Sequence, residues 1–99
     1  MGDLVYHRLI QRDLNEILSY YEEKGGAPLA DRLFDEFIKL SNKAAKTPEV
    51  FHLDLHSKLK RCNFHHFPYH FLFRQTPSGI RVLILRHDSR HPSFGLRRT

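Results

Sequence analysis

Ile80-Arg81-Val82-Leu83-Ile84-Leu85-Arg86-His87 reads as one strand, and its middle, Val82 to Leu85, is apolar without a break. A strand with one wet face alternates; a strand covered on both faces does not. This segment is therefore a central strand with something packed on each side. Working towards the N-terminus, Thr76-Pro77-Ser78-Gly79 is a turn, since proline presets one backbone angle and glycine frees another. Before it, Tyr69 to Arg74 is a second strand, with Tyr69, Phe71 and Phe73 on one face. Leu59 to Phe67 is a third, of poor alternation. After the central strand, Asp88 to Thr99 is a polar, basic tail containing Pro92 and Gly95.

The N-terminal half has a different period. Leu4 to His7 is a short first strand, and Ile10, Leu14, Ile17, Leu18 and Tyr21 then form one apolar helical stripe. Asp13, Glu16, Glu22 and Glu23 fall mostly off that stripe, and Lys24-Gly25-Gly26 closes the helix. A second helix begins near Ala27-Pro28 and stops at Pro48; proline suits a first turn and ends a helix elsewhere. Its predicted buried stripe is Ala30, Leu33, Phe34, Phe37, Ile38, Ser41 and Ala44 or Ala45. The short glycine link makes the two helices an antiparallel hairpin. Glu49 to Ser57 is a loop, with Phe51, Leu53 and Leu55 as candidate anchors. The predicted order is β-α-α-β-β-β, an α+β fold with a helical hairpin packed on a mainly antiparallel four-stranded sheet.

A chain of 99 residues makes a single domain over 1–99. No segment has the apolar length of a membrane span, and Met1 to His7 lacks the pattern of a secretory leader. With a single cysteine, Cys62, no internal disulfide can form, which points to a reducing cytoplasm. Charge is unevenly placed. Residues 1–57 carry seven Lys/Arg and ten Asp/Glu, whereas residues 58–99 carry nine Lys/Arg and one acid, Asp88. Such asymmetry suggests a basic face aimed at phosphate or at an acidic protein. The bland counterpart is a sheet edge kept soluble by cations.

Eight histidines raise the question of a metal. His52 and His56 straddle a loop, His65, His66 and His70 surround a strand turn, and no recognised ligand spacing accompanies them. No metal or cofactor is expected. Cys62 within a basic strand reads as a small core residue rather than a nucleophile. The chemistry-bearing set is Lys58, Lys60, Arg61, Arg74, Arg81, Arg86, His87, Arg90, His91, Arg97 and Arg98, with His70 a further proton donor. Arginine forks match phosphate or carboxylate, and histidine exchanges protons near neutral pH. If these groups meet on one surface, they could cleave RNA without metal, or simply hold an acidic partner. Spacing alone does not choose.

Several short motifs, taken in order, resemble the RelE/ParE toxins of bacterial type II toxin–antitoxin systems. They are Asp13-Leu14, Ala30 and Leu33, Ala44 with Pro48, Lys60-Arg61, Phe67-Pro68-Tyr69, Ile80-Arg81-Val82 and His87-Asp88-Ser89-Arg90-His91-Pro92. The resemblance covers nearly the whole chain and implies a cytoplasmic growth-inhibiting toxin neutralised by a co-expressed antitoxin. RelE-like members cleave mRNA in the ribosomal A site; ParE-like members inhibit DNA gyrase and are not nucleases. By resemblance, His87 matches an acid/base position of some nuclease members, with Arg61 and Arg81 as phosphate-binding groups. Lys58, Lys60, His70, Arg74, Arg90 and His91 are candidates for phosphate or target binding. The sequence departs from the nuclease members at three points: Tyr69-His70 replaces their Tyr-Arg, Phe94 lacks the hydroxyl of their late tyrosine, and Gly95 replaces a Trp of many relatives of this Phe-Pro-Tyr type. The nuclease and gyrase alternatives both stay open at this stage.

Overall fold

The computed structural model describes residues 2–98. The chain runs β1 (Asp3–Tyr6), α1 (Ile10–Gly25), α2 (Ala27–Lys46), a one-turn 3-10 helix at Pro48–Val50, β2 (Lys60–Asn63), β3 (Tyr69–Gln75) and β4 (Gly79–His87). The strands form one sheet in the order β1-β4-β3-β2. β2–β3 and β3–β4 are antiparallel, and β1 lies parallel to β4. β4 is thus central, as its unbroken apolar run predicts.

The sheet has two unlike faces. Phe71, Phe73, Ile80, Val82 and Leu85 face the helices and pack against Ile10, Leu14, Leu33, Phe37 and Ala44. Leu72, Leu83 and Ile84 form a smaller cluster on the other side, covered by Leu59 and by Phe94 of the tail. A β-bulge separates these patterns. Leu72 pairs with Ile84 but Phe73 pairs with Val82, so Leu83 is the extra residue. Because side chains alternate with period two, one extra residue reverses the phase of everything beyond it.

The helices join through Gly26 alone, whose φ of 84° is costly for any side chain bearing a Cβ. In α2 the buried positions are Ala30, Leu33, Phe37, Leu40, Ser41, Ala44 and Ala45. Phe34, placed in the stripe by periodicity, is instead exposed, and Leu40 takes the core position. The apolar face is broader than one stripe, and Phe34 lies just past its rim. Ser41 sits in the core because its hydroxyl donates to the Phe37 carbonyl one turn back.

Two further expectations need correction. The strand predicted over Leu59 to Phe67 is only Lys60–Asn63; the Glu36 carboxylate accepts the His65 and His66 backbone N–H groups and pulls that end out of the ladder. In the preceding loop Phe51 packs on Phe73, but Leu53 and Leu55 are not anchors, Leu55 being 95% exposed. The buried residue there is Asp54, which is polar. Its carboxylate accepts from the His56 N–H and the Ser57 hydroxyl and organises the loop around itself.

Candidate functional site

The bulge decides where the chemistry-bearing side chains go. In an unbroken strand Arg81 and His87, six apart, would share a face. With Leu83 bulged, Arg81 pairs with Arg74 on the face away from the helices, whereas His87 pairs with Tyr69 on the helix face. The groups expected to meet on one surface therefore occupy three places.

On the helix side, the His87 ring stands edge-on to the Tyr69 ring, with centroids 5.0 Å apart. Its Nδ1 accepts from the Ser89 N–H at 3.0 Å. His87 opens on a cleft of about 240 Å³ with Glu16, Ile17, Tyr20, Arg90 and Phe94. The Arg90 guanidinium lies 4.2 Å from the centroid of the Phe94 ring, a cation–π geometry. Lys60 also faces the helices, and its Nζ donates to the Pro48 carbonyl at 2.8 Å.

On the opposite face, the half of the sheet nearest the chain reversal at Pro68 carries a linked network. Arg61 reaches Asp54 at 3.5 Å and Asp88 at 3.6 Å, and its Nε donates to Asn63. Asp88 in turn lies 2.8 Å from His70 Nδ1. Arg86 Nε donates to His70 Nε2 at 2.9 Å. His70 and Arg86 are buried, although sequence reading made His70 a surface group. Burial lowers the His70 pKa, with Arg61 and Arg86 adding to the effect and Asp88 opposing it. Burial also pushes the Asp54 carboxyl up, but hydrogen bonds from Ser57, His56 and Arg61 outweigh it and leave its pKa lowered.

The third place is the far end of β4. Arg8, Arg81, Arg97 and the ring of His7 line an open cleft of about 770 Å³. Arg74 lies directly across from Arg81 in the register. The His7 pKa is lowered by burial first and then by the charges of Arg98, Arg81 and Arg8, so several guanidinium groups act on one ring. Arg98 itself makes a bidentate pair with Asp13, at 2.5 and 3.0 Å, and donates to the Leu83 carbonyl. Lys58, in a left-handed turn, is exposed, and so is His91, which bonds Ser93.

A family model described as the ParE toxin of the type II toxin–antitoxin system, parDE, matches residues 4–92. The chain belongs to the ParE toxin family. No curated protein is similar enough to count as a match. Family membership makes the chain a type II toxin with a cognate antitoxin as partner.

In this ParE-family chain the groups that sequence reading missed are acids and their partners. Asp13 was placed off the apolar stripe, yet it is buried against Arg98. Asp54 is buried in a loop whose leucines, Leu53 and Leu55, are exposed. One signal was available: a half nearly free of acids must recruit carboxylates from elsewhere, and Asp13 and Asp54 both come from residues 1–57. Cys62 is a core residue as predicted, and burial pushes its thiol pKa up to about 12. Among the described residues no group of His, Cys, Asp and Glu could hold a metal ion, and no described helix is long and apolar enough to cross a membrane.

Proposed function

We propose that this toxin arrests growth in the cytoplasm by binding its target without catalysis, the target being DNA gyrase as ParE-like members imply. The observation that carries this reading is the separation of His87 from Arg61 and Arg81 by the thickness of the sheet. A general base and the cations that stabilise a phosphorane must all reach one phosphate. Arg61 is moreover engaged with Asp54 and Asp88, so its charge is already answered. What remains outward is suited to contact: the exposed Tyr20 and Phe34 of the hairpin and the arginine cleft at the start of β4.

The alternative is a metal-independent, ribosome-dependent mRNA endonuclease. One observation favours it: the half-exposed His87 stands with Arg90 and Tyr69 around a cleft. In that reading Arg90 would hold the phosphate, and Arg61 and Arg81 would bind more distant parts of the RNA or the ribosome.

The test pairs two assays on purified protein. Gyrase supercoiling should be inhibited in proportion to toxin and restored by antitoxin. Message on programmed ribosomes should stay whole. Cut message with unaffected supercoiling would reverse the assignment.

A further inference from the structure

The His70–Arg86–Asp88 network does more than satisfy buried polar groups, because it attaches the Pro92–Phe94 stretch of the tail to the sheet, while Arg98 holds the end of the tail on Asp13 and the Leu83 carbonyl. Arg86 Nη1 donates to the backbone carbonyls of Pro92 and Phe94, each at 3.0 Å. Those two bonds seat Phe94 over Leu72, Leu83 and Ile84. Gly95 completes the seat. Its φ of 79° is left-handed, and a Cβ there would press on the Ile84 side chain. Arg86 has no carboxylate of its own at bonding distance among the described residues. Its Nε is oriented by a histidine.

The geometry fixes the protonation state of that histidine. An arginine Nε can only donate, so the Nε2 of His70, 2.9 Å away, must present a lone pair. The proton of the neutral ring is therefore on Nδ1, where it is donated to Asp88 Oδ1 at 2.8 Å. The single vacant place for a second proton is Nε2. A proton taken from solvent at that atom turns the acceptor into a donor facing another donor, beside the fixed charge of Arg86.

We infer that His70 is a proton-operated latch: neutral, it holds Arg86 in the orientation that clasps the Pro92–Phe94 stretch of the tail, and protonated, it releases that stretch from the sheet while Arg98 still anchors the tail's end. The charged groups facing His70 are Arg61 from β2, Arg86 from β4 and Asp88 just beyond it, with Asp54 of the preceding loop acting on both arginines. Burial keeps the ring, at 1% exposure, from charging readily. A depressed folded-state pKa gives stabilisation that is complete above the unfolded histidine value and is lost as pH falls through the folded one. The latch therefore holds at neutral pH and weakens on acidification. Release would uncover Leu72, Leu83 and Ile84. The inference rests on the fold and is independent of the toxin's target.

Amide hydrogen exchange on the full chain, corrected for intrinsic rates, tests it at about pH 7.5 and about pH 5.5, a range that spans ordinary histidine titration and stays above the usual carboxylate range. The tail amides of Phe94 and Leu96, which bond His91 and Ser93 carbonyls, should lose protection several-fold, up to about tenfold, at the lower pH, since that pH lies about one unit below the ordinary histidine value and each unit is at most a tenfold effect. Strand amides of β3 and β4 should keep theirs. His70→Gln retains an acceptor for Arg86 but cannot titrate, and should abolish the pH dependence; His7→Asn, His87→Gln and His91→Gln should leave it in place. Ring nitrogen shifts of His70 in the unsubstituted protein give a second reading that needs no variant: they should report the Nδ1–H form and titrate together with tail release. Equal tail protection at both pH values, persistence of the effect in His70→Gln, or an Nε2–H ring would each overturn the latch.

Discussion

At the scale of single residues, the ion pair between Asp13 and Arg98 has the largest predictable consequence. Both side chains are nearly excluded from water, at 4% and 6% exposure. A buried pair adds little over an apolar one, but removing one partner strands a charge and costs about 3–5 kcal/mol. Asp13→Asn should therefore lower stability by about that amount in chemical denaturation. A loss under about 1 kcal/mol, the range of an exposed pair, would show that Arg98 leaves with ease. This pair was not legible in the sequence. Asp13 and Arg98 stand 85 positions apart, and helical periodicity places Asp13 on the flank of its stripe, where acids are ordinarily solvated. Cys62 was legible, because a small thiol on an inward strand position has one common fate.

At the scale of elements, the reading of β4 shows what a pattern contains and what it hides. Its apolar run announced a central strand, and β4 is central. The same run concealed the bulge, since four consecutive apolar residues carry no phase. Without a phase, the faces of Arg81, Arg86 and His87 could not be assigned, and the candidate site depended on them. The helices were legible because their stripes, glycines and prolines agree with one another. The loop before β2 was not. Leucine in a loop is a weak sign of burial, since apolar residues often remain outside, and the reliable sign is a buried polar group with partners. A pair of substitutions checks this assignment. Phe37→Ala, in the core of α2 at 1% exposure, should cost about 3–5 kcal/mol, the usual range for such a truncation. Leu55→Ser should change stability by no more than about 0.5 kcal/mol, as for other surface sites. A large effect of Leu55→Ser would mean that the loop packs elsewhere in solution.

At the scale of the whole molecule, charge divides the protein into a neutralised sheet centre and a basic rim. Two acids of the N-terminal half, Asp54 and Asp13, pair with Arg61 and Arg98, while Arg8 and Arg97 remain exposed around the cleft that Arg81 lines. We propose this rim as the place where an acidic antitoxin segment docks. Electrostatic steering raises association rates and fades with salt. Charge reversal at Arg8 and Arg97 should slow antitoxin association about tenfold or more at low salt, within the range such steering supplies. Reversal at Lys39 and Lys43 of α2 should not. Equal rates for both pairs in stopped-flow mixing would move the docking site off the rim. The family resemblance implied an antitoxin partner, but it could not say that Arg61 and Arg86 are engaged internally, because that depends on partners from other segments.

The central claim is that toxicity needs no acid/base chemistry at the end of β4. It is tested most directly by growth of cells induced for His87→Ala, a strand-end substitution outside the core, with antitoxin binding measured to confirm the fold. The account predicts arrest as complete as that of the unsubstituted toxin. Restored growth by a variant that still binds antitoxin would contradict it and make His87 a catalytic residue.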